Sequence, residues 1–446
     1  MRFLRLAGLA AALIGTVSAA QTDLTPQEAR VAAAKLLAAG HPRAAADITT
    51  ALIKRDPEDA EALIIQAHAQ RTMRAHKAAQ QAARAGWRAS DRPVEKYGAA
   101  LAMAQALSSD GKKTRAQLWL RRAAHVAPSE ALVARAARDY QYLRTTNPWS
   151  VNFSFGINPG NNVNNAPRDN TVVLGGLVFV NESAVPISGF EVQTNATLRY
   201  TLSESVTRRK SFALRWLEGH VVFTDADVPA GVDEANFAYR RLEGEFAWDL
   251  QNSRDAPRRN IALTFGRLWT AGDPQADEIK LSYRDSRTLS DGTHFGWHTS
   301  LGYSHRKDNE NRSGFTGILG ANWAVTLANK GVLSWSVGVG RTETDSVSTT
   351  HSKLDLGVTY ALPEPVLGAR ASLAAHATLR AYDDPLYSAE ARLDRSVTLS
   401  ASLLFVDFDT YGFAPKLTVE ANDTQSNITT FETQNFGLKI GWQSVF

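Results

Sequence analysis

The stretch His294-Phe295-Gly296-Trp297-His298-Thr299-Ser300-Leu301-Gly302-Tyr303-Ser304 alternates without a slip. Phe295, Trp297, Thr299, Leu301 and Tyr303 fall on one face, with the histidines, glycines and serines on the other. A period of two is the signature of a β-strand. The pattern recurs: Leu354, Leu356, Val358, Tyr360 and Leu362 alternate with Lys353, Asp355, Gly357 and Thr359. Phe190, Val192, Ala196, Leu198, Tyr200 and Leu202 stand opposite Glu191, Gln193, Asn195 and Arg199. The strands of a soluble sandwich are shorter and turn their apolar face inward. These run roughly 10–16 residues, carry aromatic residues near their ends and have a charged second face. A barrel in lipid needs that combination: apolar exterior, aromatic girdles, wet lumen and no free edge.

Fourteen strands are expected, near 149–158, 189–202, 209–223, 235–250, 258–270, 276–286, 292–306, 313–327, 332–343, 350–362, 368–382, 389–405, 411–422 and 431–446. A further alternating piece, Val172 to Val180, would make fifteen. Single-chain bacterial barrels carry even numbers with both ends periplasmic, so that piece is assigned to an external loop or hairpin. Parity then puts Leu289–Gly292, Ala328–Gly331 and Pro363–Pro365 at the periplasmic end, where turns should be tight.

Residues 1–20 read as a secretory signal: Arg2 and Arg5, an apolar run from Leu6 to Val17, then Ser18-Ala19-Ala20. The run is too short to span a bilayer, and no later window is long enough, so membrane residence must come from strands. There is no cysteine, which excludes disulfides, thiolate metal sites and lipidation of the chain itself. Residues 21–147 hold 20 Lys and Arg against 12 Asp and Glu, a net +8, while residues 148–446 hold 27 against 33, a net −6. A secreted chain seldom meets nucleic acid, so the basic half reads as a surface for acidic protein partners.

The domains are therefore a signal at 1–20, a helical domain at 21–147 and a barrel at 148–446. The helical domain is alanine-rich and repeats. Gly40, Ala45 and Pro57 are matched in spacing by Gly111, Ala116 and Pro128, with Arg74, Ala79 and Pro93 fitting loosely between them. Each unit reads as helix, turn, helix, with Pro ending the second helix. The units resemble the tetratricopeptide repeat, its large aromatic positions mostly replaced by alanine and leucine. Such stacks hold polypeptides in a concave groove, for which Trp87, Tyr97 and Trp119 are candidates; packing between helices is the alternative.

No zinc-peptidase motif, phosphate loop, nucleophile elbow or metal-ligand cluster is present, so no enzyme activity, cofactor or metal is expected. His294 and His298 share a lumen face but stand ~13 Å apart along a strand, too far to share a metal. Lumen charges such as Arg199, Glu243, Glu245, Lys280, Arg284, Asp355 and Asp394 mix both signs, with no one-sign ladder. In the last strand Phe436, Leu438, Ile440 and Trp442 face lipid. Lys439-x-Gly441-x-x-Ser444-x-Phe446 resembles the signal read by the barrel-assembly machinery, with Ser444 in place of the usual hydrophobic residue. Trp149 and this strand, through Phe436 and Trp442, would form the seam.

Trp149, then Asn161-Asn162-Val163-Asn164-Asn165-Ala166, Pro186-x-x-Gly189 and Ser426-Asn427 before the closing strand together resemble the surface lipoprotein assembly modulator family. The family's turn carries an acidic residue before its asparagines, where this chain has Pro159-Gly160. The resemblance implies an outer-membrane translocator whose helical repeats stand in the periplasm and hold a client. The barrel would pass that client to the surface or medium. Clients would be surface lipoproteins or soluble secreted proteins, often for iron or haem capture. Further partners would be outer-membrane lipid, the barrel-assembly machinery and periplasmic chaperones. Asn161, Asn162, Asn164 and Asn165 read either as turn formers or as a loop that touches the client or shapes the pore. Two alternatives stand beside translocation: polysaccharide export, which calls for a longer repeat array, and a passive solute porin.

Overall fold

The structure is a computed structural model describing residues 24–174, 177–253, 256–289, 292–386, 390–408, 410 and 413–444. The signal segment and Phe446 lie outside the described residues. Two compact units divide between Ala136 and Ala137.

The first unit is built of antiparallel helix pairs. In order these are α1 (Pro26–Ala38), α2 (Pro42–Arg55), α3 (Ala60–Thr72), α4 (His76–Ala89), α5 (Pro93–Ser109) and α6 (Lys113–His125), followed by α7 (Glu130–Thr146), which crosses the division. Gly40, Arg74 and Gly111 hold the same place in the turns after α1, α3 and α5, at φ +84°, +61° and +74°. At each, that residue's N–H donates three residues back and the next N–H donates five back: Gly40 to Leu37 and His41 to Leu36, Arg74 to Arg71 and Ala75 to Gln70, Gly111 to Ser108 and Lys112 to Leu107. These are three Schellman ends. Arg74 pays the small left-handed penalty where its two counterparts are glycine. Ala45, Ala79 and Ala116 are fully buried in the helices that follow. A methyl group is all that fits where the helix pairs close, which is why alanine stands in place of bulk.

The second unit is a closed barrel. Its strands are β1 (Trp149–Gly160), β4 (Gly189–Glu204), β5 (Arg208–Phe223), β6 (Tyr239–Leu250), β7 (Arg258–Thr270), β8 (Asp273–Thr288), β9 (His294–Arg306), β10 (Gly314–Thr326), β11 (Val332–Thr344), β12 (His351–Ala361), β13 (Arg370–Pro385), β14 (Ala391–Leu404), β15 (Phe413–Ser426) and β16 (Thr433–Ser444). Neighbours in this order pair antiparallel, and β1 meets β16 to close fourteen strands. Among the described residues two further strands, β2 (Thr171–Leu174) and β3 (Leu177–Val180), pair with each other in a separate two-stranded sheet, a hairpin in the long segment between β1 and β4.

Several expected strand ends shift. β8 begins at Asp273 because Ala271 and Gly272 adopt φ +53° and +88° and close a two-residue turn, so the pairing starts at once. At 235–238 the expected strand is replaced by a 3-10 turn, Glu234–Phe237, capped by Asp233.

Outward residues set the depth of the barrel in lipid. On β8 the ion pairs Arg267–Asp277 at one end and Arg259–Asp285 at the other bracket Ile279, Leu281 and Tyr283. Eight residues at ~3.4 Å, tilted by about 40°, span roughly 20 Å, close to the apolar band of an outer-membrane barrel. Cross-strand aromatic pairs ring the end where β1 begins: Trp149–Tyr200, Phe212–Phe246, Tyr283–Trp297 and Phe295–Trp323 lie with ring centroids 4.6 to 5.3 Å apart. Amphipathic rings settle at that level of a bilayer.

Candidate functional site: the asparagine clasp, the seam and the lumen wall

Beyond Gly160 the chain leaves the ladder, and asparagine side chains take over its work. The N–H of Asn161 donates to the Phe436 carbonyl at 3.2 Å, and its Oδ1 accepts the Phe436 N–H at 2.7 Å. One residue thus imitates a β-pair with β16. Asn162, buried, brackets Ala166: Nδ2 donates to the Ala166 carbonyl and Oδ1 accepts the Ala166 N–H, each at 2.9 Å. Asn164 does the same to the returning chain, donating to the Val185 carbonyl at 2.8 Å and accepting from the Ile187 N–H at 3.0 Å. Asn165 sits at φ +51° and accepts from Asn435 Nδ2 at 3.1 Å. An amide carries both a donor and an acceptor at strand spacing, which a carboxylate or hydroxyl does not.

The other short motifs serve the same junction. Ile187 is 1% exposed beneath the clasp. A Cβ on Gly189 would lie 2.2 Å from the Val222 carbonyl oxygen, so only glycine lets β4 approach β5 there. Asn427 repeats the device on β14, accepting from the Leu393 N–H at 2.8 Å and donating to the Ala391 carbonyl at 2.9 Å. Further ties run from the Arg168 N–H to the Glu432 carbonyl and from the Thr429 hydroxyl to the Thr171 carbonyl. Asn165 and Pro167 line a cavity of about 390 Å³ with Thr378, Asp394, Thr398 and Asn422, which face the lumen from β13, β14 and β15. The asparagine segment therefore lies against the lumen wall at the mouth away from the start of β1.

The lumen itself is divided. On β14 and β15 hydroxyls pair across the sheet, Ser396 with Thr424 and Ser402 with Thr418, both at 2.8 Å. On β4 to β9 the wall is basic around a cavity of about 790 Å³ lined by Arg199, Arg209, Arg215, Arg258, Lys280 and Arg284 among others. Two of its carboxylates are engaged: Glu245 lies 2.6 Å from Arg215 and 3.5 Å from Arg199, and Asp249 lies 2.9 Å from Arg209; Glu204 also lines it. Lys280 and Arg284 have no carboxylate partner among the described residues. Linear sequence shows the two signs mixed; strand pairing gathers an excess of cations here, because β5, β7 and β8 turn Arg209, Arg215, Arg258 and Lys280 to one stretch of wall. His298 stands on this wall, and His294 contacts the Thr288 hydroxyl at 2.9 Å. Among the described residues no group of His, Asp and Glu is placed to hold a metal.

Lys439 pairs with Glu420 at 2.9 Å. Trp149, Phe436 and Trp442 are outward and about half exposed, beside the seam. In the helical unit Tyr97 and Trp119 are buried, and Trp119 meets the half-buried Trp87 edge-on at 5.5 Å. Lys96 lies over Trp87 and Arg122 over Trp119. These aromatics therefore offer a partner the Trp87 edge and its cations, not three open faces.

Residues 149–442 match the family described as Surface lipoprotein assembly modifier. The chain belongs to that family. No curated protein matches. Among solved structures, the helical part is similar to the type III secretion translocator chaperone SycD of Yersinia enterocolitica, at 14% identity over 27% of this chain and 83% of that one, with a TM-score of 0.25. The barrel is similar to Acinetobacter baumannii OccAB3, at 6% identity over 66% and 98% with a TM-score of 0.37. It is also similar to Pseudomonas putida OprB, at 7% over 70% and 97% with a TM-score of 0.39. At these scores the likenesses bear on neither function nor partner. The family's match begins at Trp149 and ends at Trp442, the two aromatic flanks of the seam.

Proposed function

We propose that this member of the surface lipoprotein assembly modifier family is an outer-membrane translocator. It carries particular client proteins, surface lipoproteins or soluble secreted proteins, from periplasm to cell surface or medium, with iron or haem capture as one use of such clients. The observation that carries this is the family match over the whole barrel, joined to a barrel whose lumen is polar. The helical unit would stand in the periplasm and receive the client, and its basic surface would speed encounter with acidic segments. The Lys280 and Arg284 wall, at the end where β1 begins, would extend that attraction into the pore. No covalent step is needed, and none is proposed. The remaining partners, the barrel-assembly machinery reading the end of β16 and periplasmic chaperones, belong to its biogenesis.

Deletion of the gene tests the proposal. Surface shaving with protease, followed by identification of the lipoproteins released, should show at least one lipoprotein lost from the surface while its cellular total is unchanged. Restoring the full chain should return it. A passive porin or a polysaccharide exporter would leave the surface lipoprotein set as it was.

A further inference from the structure

On the lumen wall of β4 to β9 the carboxylates nearest the free cations are already engaged. Glu245 serves Arg199 and Arg215, Asp249 serves Arg209, and Glu278 serves Arg241 at 3.0 Å. Lys280 and Arg284, on the lumen face of β8, have no carboxylate partner among the described residues. Their strand neighbours explain why. Across from Arg284 on β7 stands Asn260, whose amide donates to Asp249 at 2.9 Å and turns that carboxylate toward Arg209 and itself. On the other side His298 faces Arg284 from β9, its ring lying where a Cβ on Gly320 would stand. Lys280 lies between Thr264 and Gly302, neither of which carries charge. Between the two cations Ser282 pairs with Ser300. Lys280, Ser282, Arg284, Ser300 and His298 all open on the cavity of about 790 Å³. Glu204 lines it as well, from the end of β4 opposite Arg209.

We propose that Lys280, Ser282 and Arg284 form a docking track for an acidic polypeptide segment in extended conformation, with carboxylates four residues apart. Alternate residues of a strand share a face, and four residues rise ~13 Å, so the two cations stand that far apart along the wall. A lone phosphate or carboxylate is too small to meet both. An extended guest has the same rise. Its carboxylates at i and i+4 fall on one face and reach both cations, while residue i+2 lies beside Ser282 and Ser300. No ladder to the guest is needed, because β8 is paired on both sides; charge-assisted hydrogen bonds carry the contact. Arg209 and Arg258 carry the positive field on toward the mouth at the end where β1 begins. That the segment belongs to a client rests on the translocator reading; the spacing of the cations does not.

The chain has no cysteine, so Ser282→Cys places a single thiol midway between the two cations. Full-length protein in detergent is mixed with end-capped peptides whose one cysteine is activated as a thiopyridyl disulfide. In Glu-Gly-Cys-Gly-Glu both carboxylates share the face of the cysteine when the chain is extended. In Gly-Glu-Cys-Glu-Gly the same charge lies on the opposite face. Each rate is divided by that peptide's rate with free cysteine, and heat-modifiable gel migration shows which variants are folded. The first peptide should form its mixed disulfide about tenfold faster than the second. Adding Lys280→Gln and Arg284→Gln should bring the two rates together. Should Ser282→Cys fail to fold, Ser300→Cys, paired with it from β9, reports in its place with the same expectation. Equal normalised rates for the two peptides, or a preference that survives loss of both cations, would overturn the proposal. No transport is measured, so that failure would leave translocation standing; unchanged surface lipoproteins after gene deletion would remove the client and leave the track.

Discussion

Asn161 holds the Phe436 backbone on both sides, and its replacement by alanine strands one strand N–H at the rim of the barrel. An unmet donor there costs about 1–3 kcal/mol. Asn161→Ala should therefore lower the temperature at which the folded band converts to the slower unfolded band on semi-native gels, whereas Asn170→Ala should leave it nearly unchanged. His68 gives a second residue-scale test. Burial, and then the nearby Arg71 charge, push its pKa down to about 4 from an ordinary 6.5. The unfolded chain therefore binds a proton that the folded helix refuses. Stability contributed by the neutral form is complete above pH 6.5 and declines as pH falls from there toward 4. Protection factors of the α3 amides, the observed exchange rates corrected for the intrinsic slowing at low pH, should fall over that window by the equivalent of about 2–3 kcal/mol, and His68→Gln should flatten the change. The asparagines are conspicuous in the sequence, but their pairing with Phe436 is not, because the partner lies some 275 residues away.

At the scale of the element, period two reads directly as strand because each strand has one face in lipid and one in water. The count of fourteen and the exclusion of the 172–180 piece were legible for that reason, with parity deciding the second. Turn chemistry was legible only where glycine or asparagine announced it. Arg74 adopts positive φ with neither glycine nor asparagine to announce it, and the tight Ala271-Gly272 turn starts β8 at Asp273, earlier than the expected 276. The cationic excess of this wall was not legible, because Arg209 and Arg215 on β5 meet Lys280 and Arg284 on β8 only once the strands pair. That wall should make the reconstituted barrel prefer anions. Reversal potentials in a salt gradient should show the preference, and the double substitution Lys280→Glu and Arg284→Glu should weaken or invert it. Gly189→Ala, by contrast, should reduce the yield of folded barrel, since its Cβ has no room against the Val222 carbonyl oxygen.

For the whole molecule, the proposed translocator divides its labour between the two compact units. Residues 21–147, the helical part, carry a net +8, and the barrel strands carry the membrane band. A chain running from Trp149 to the end should still insert and show heat-modifiable migration while passing client poorly. Raising ionic strength well above ~0.1 M should narrow its deficit against the full chain by screening the latter's advantage. In the proposed translocator, client polypeptide passes through the barrel lumen. A photo-crosslinking amino acid at position 280, facing the lumen, and another at position 281, facing lipid, test it on adjacent residues of one strand. Irradiation of cells exporting a client found by gene deletion should give client adducts from position 280 and none from position 281; adducts from 281 alone, or from neither while export proceeds, would contradict it.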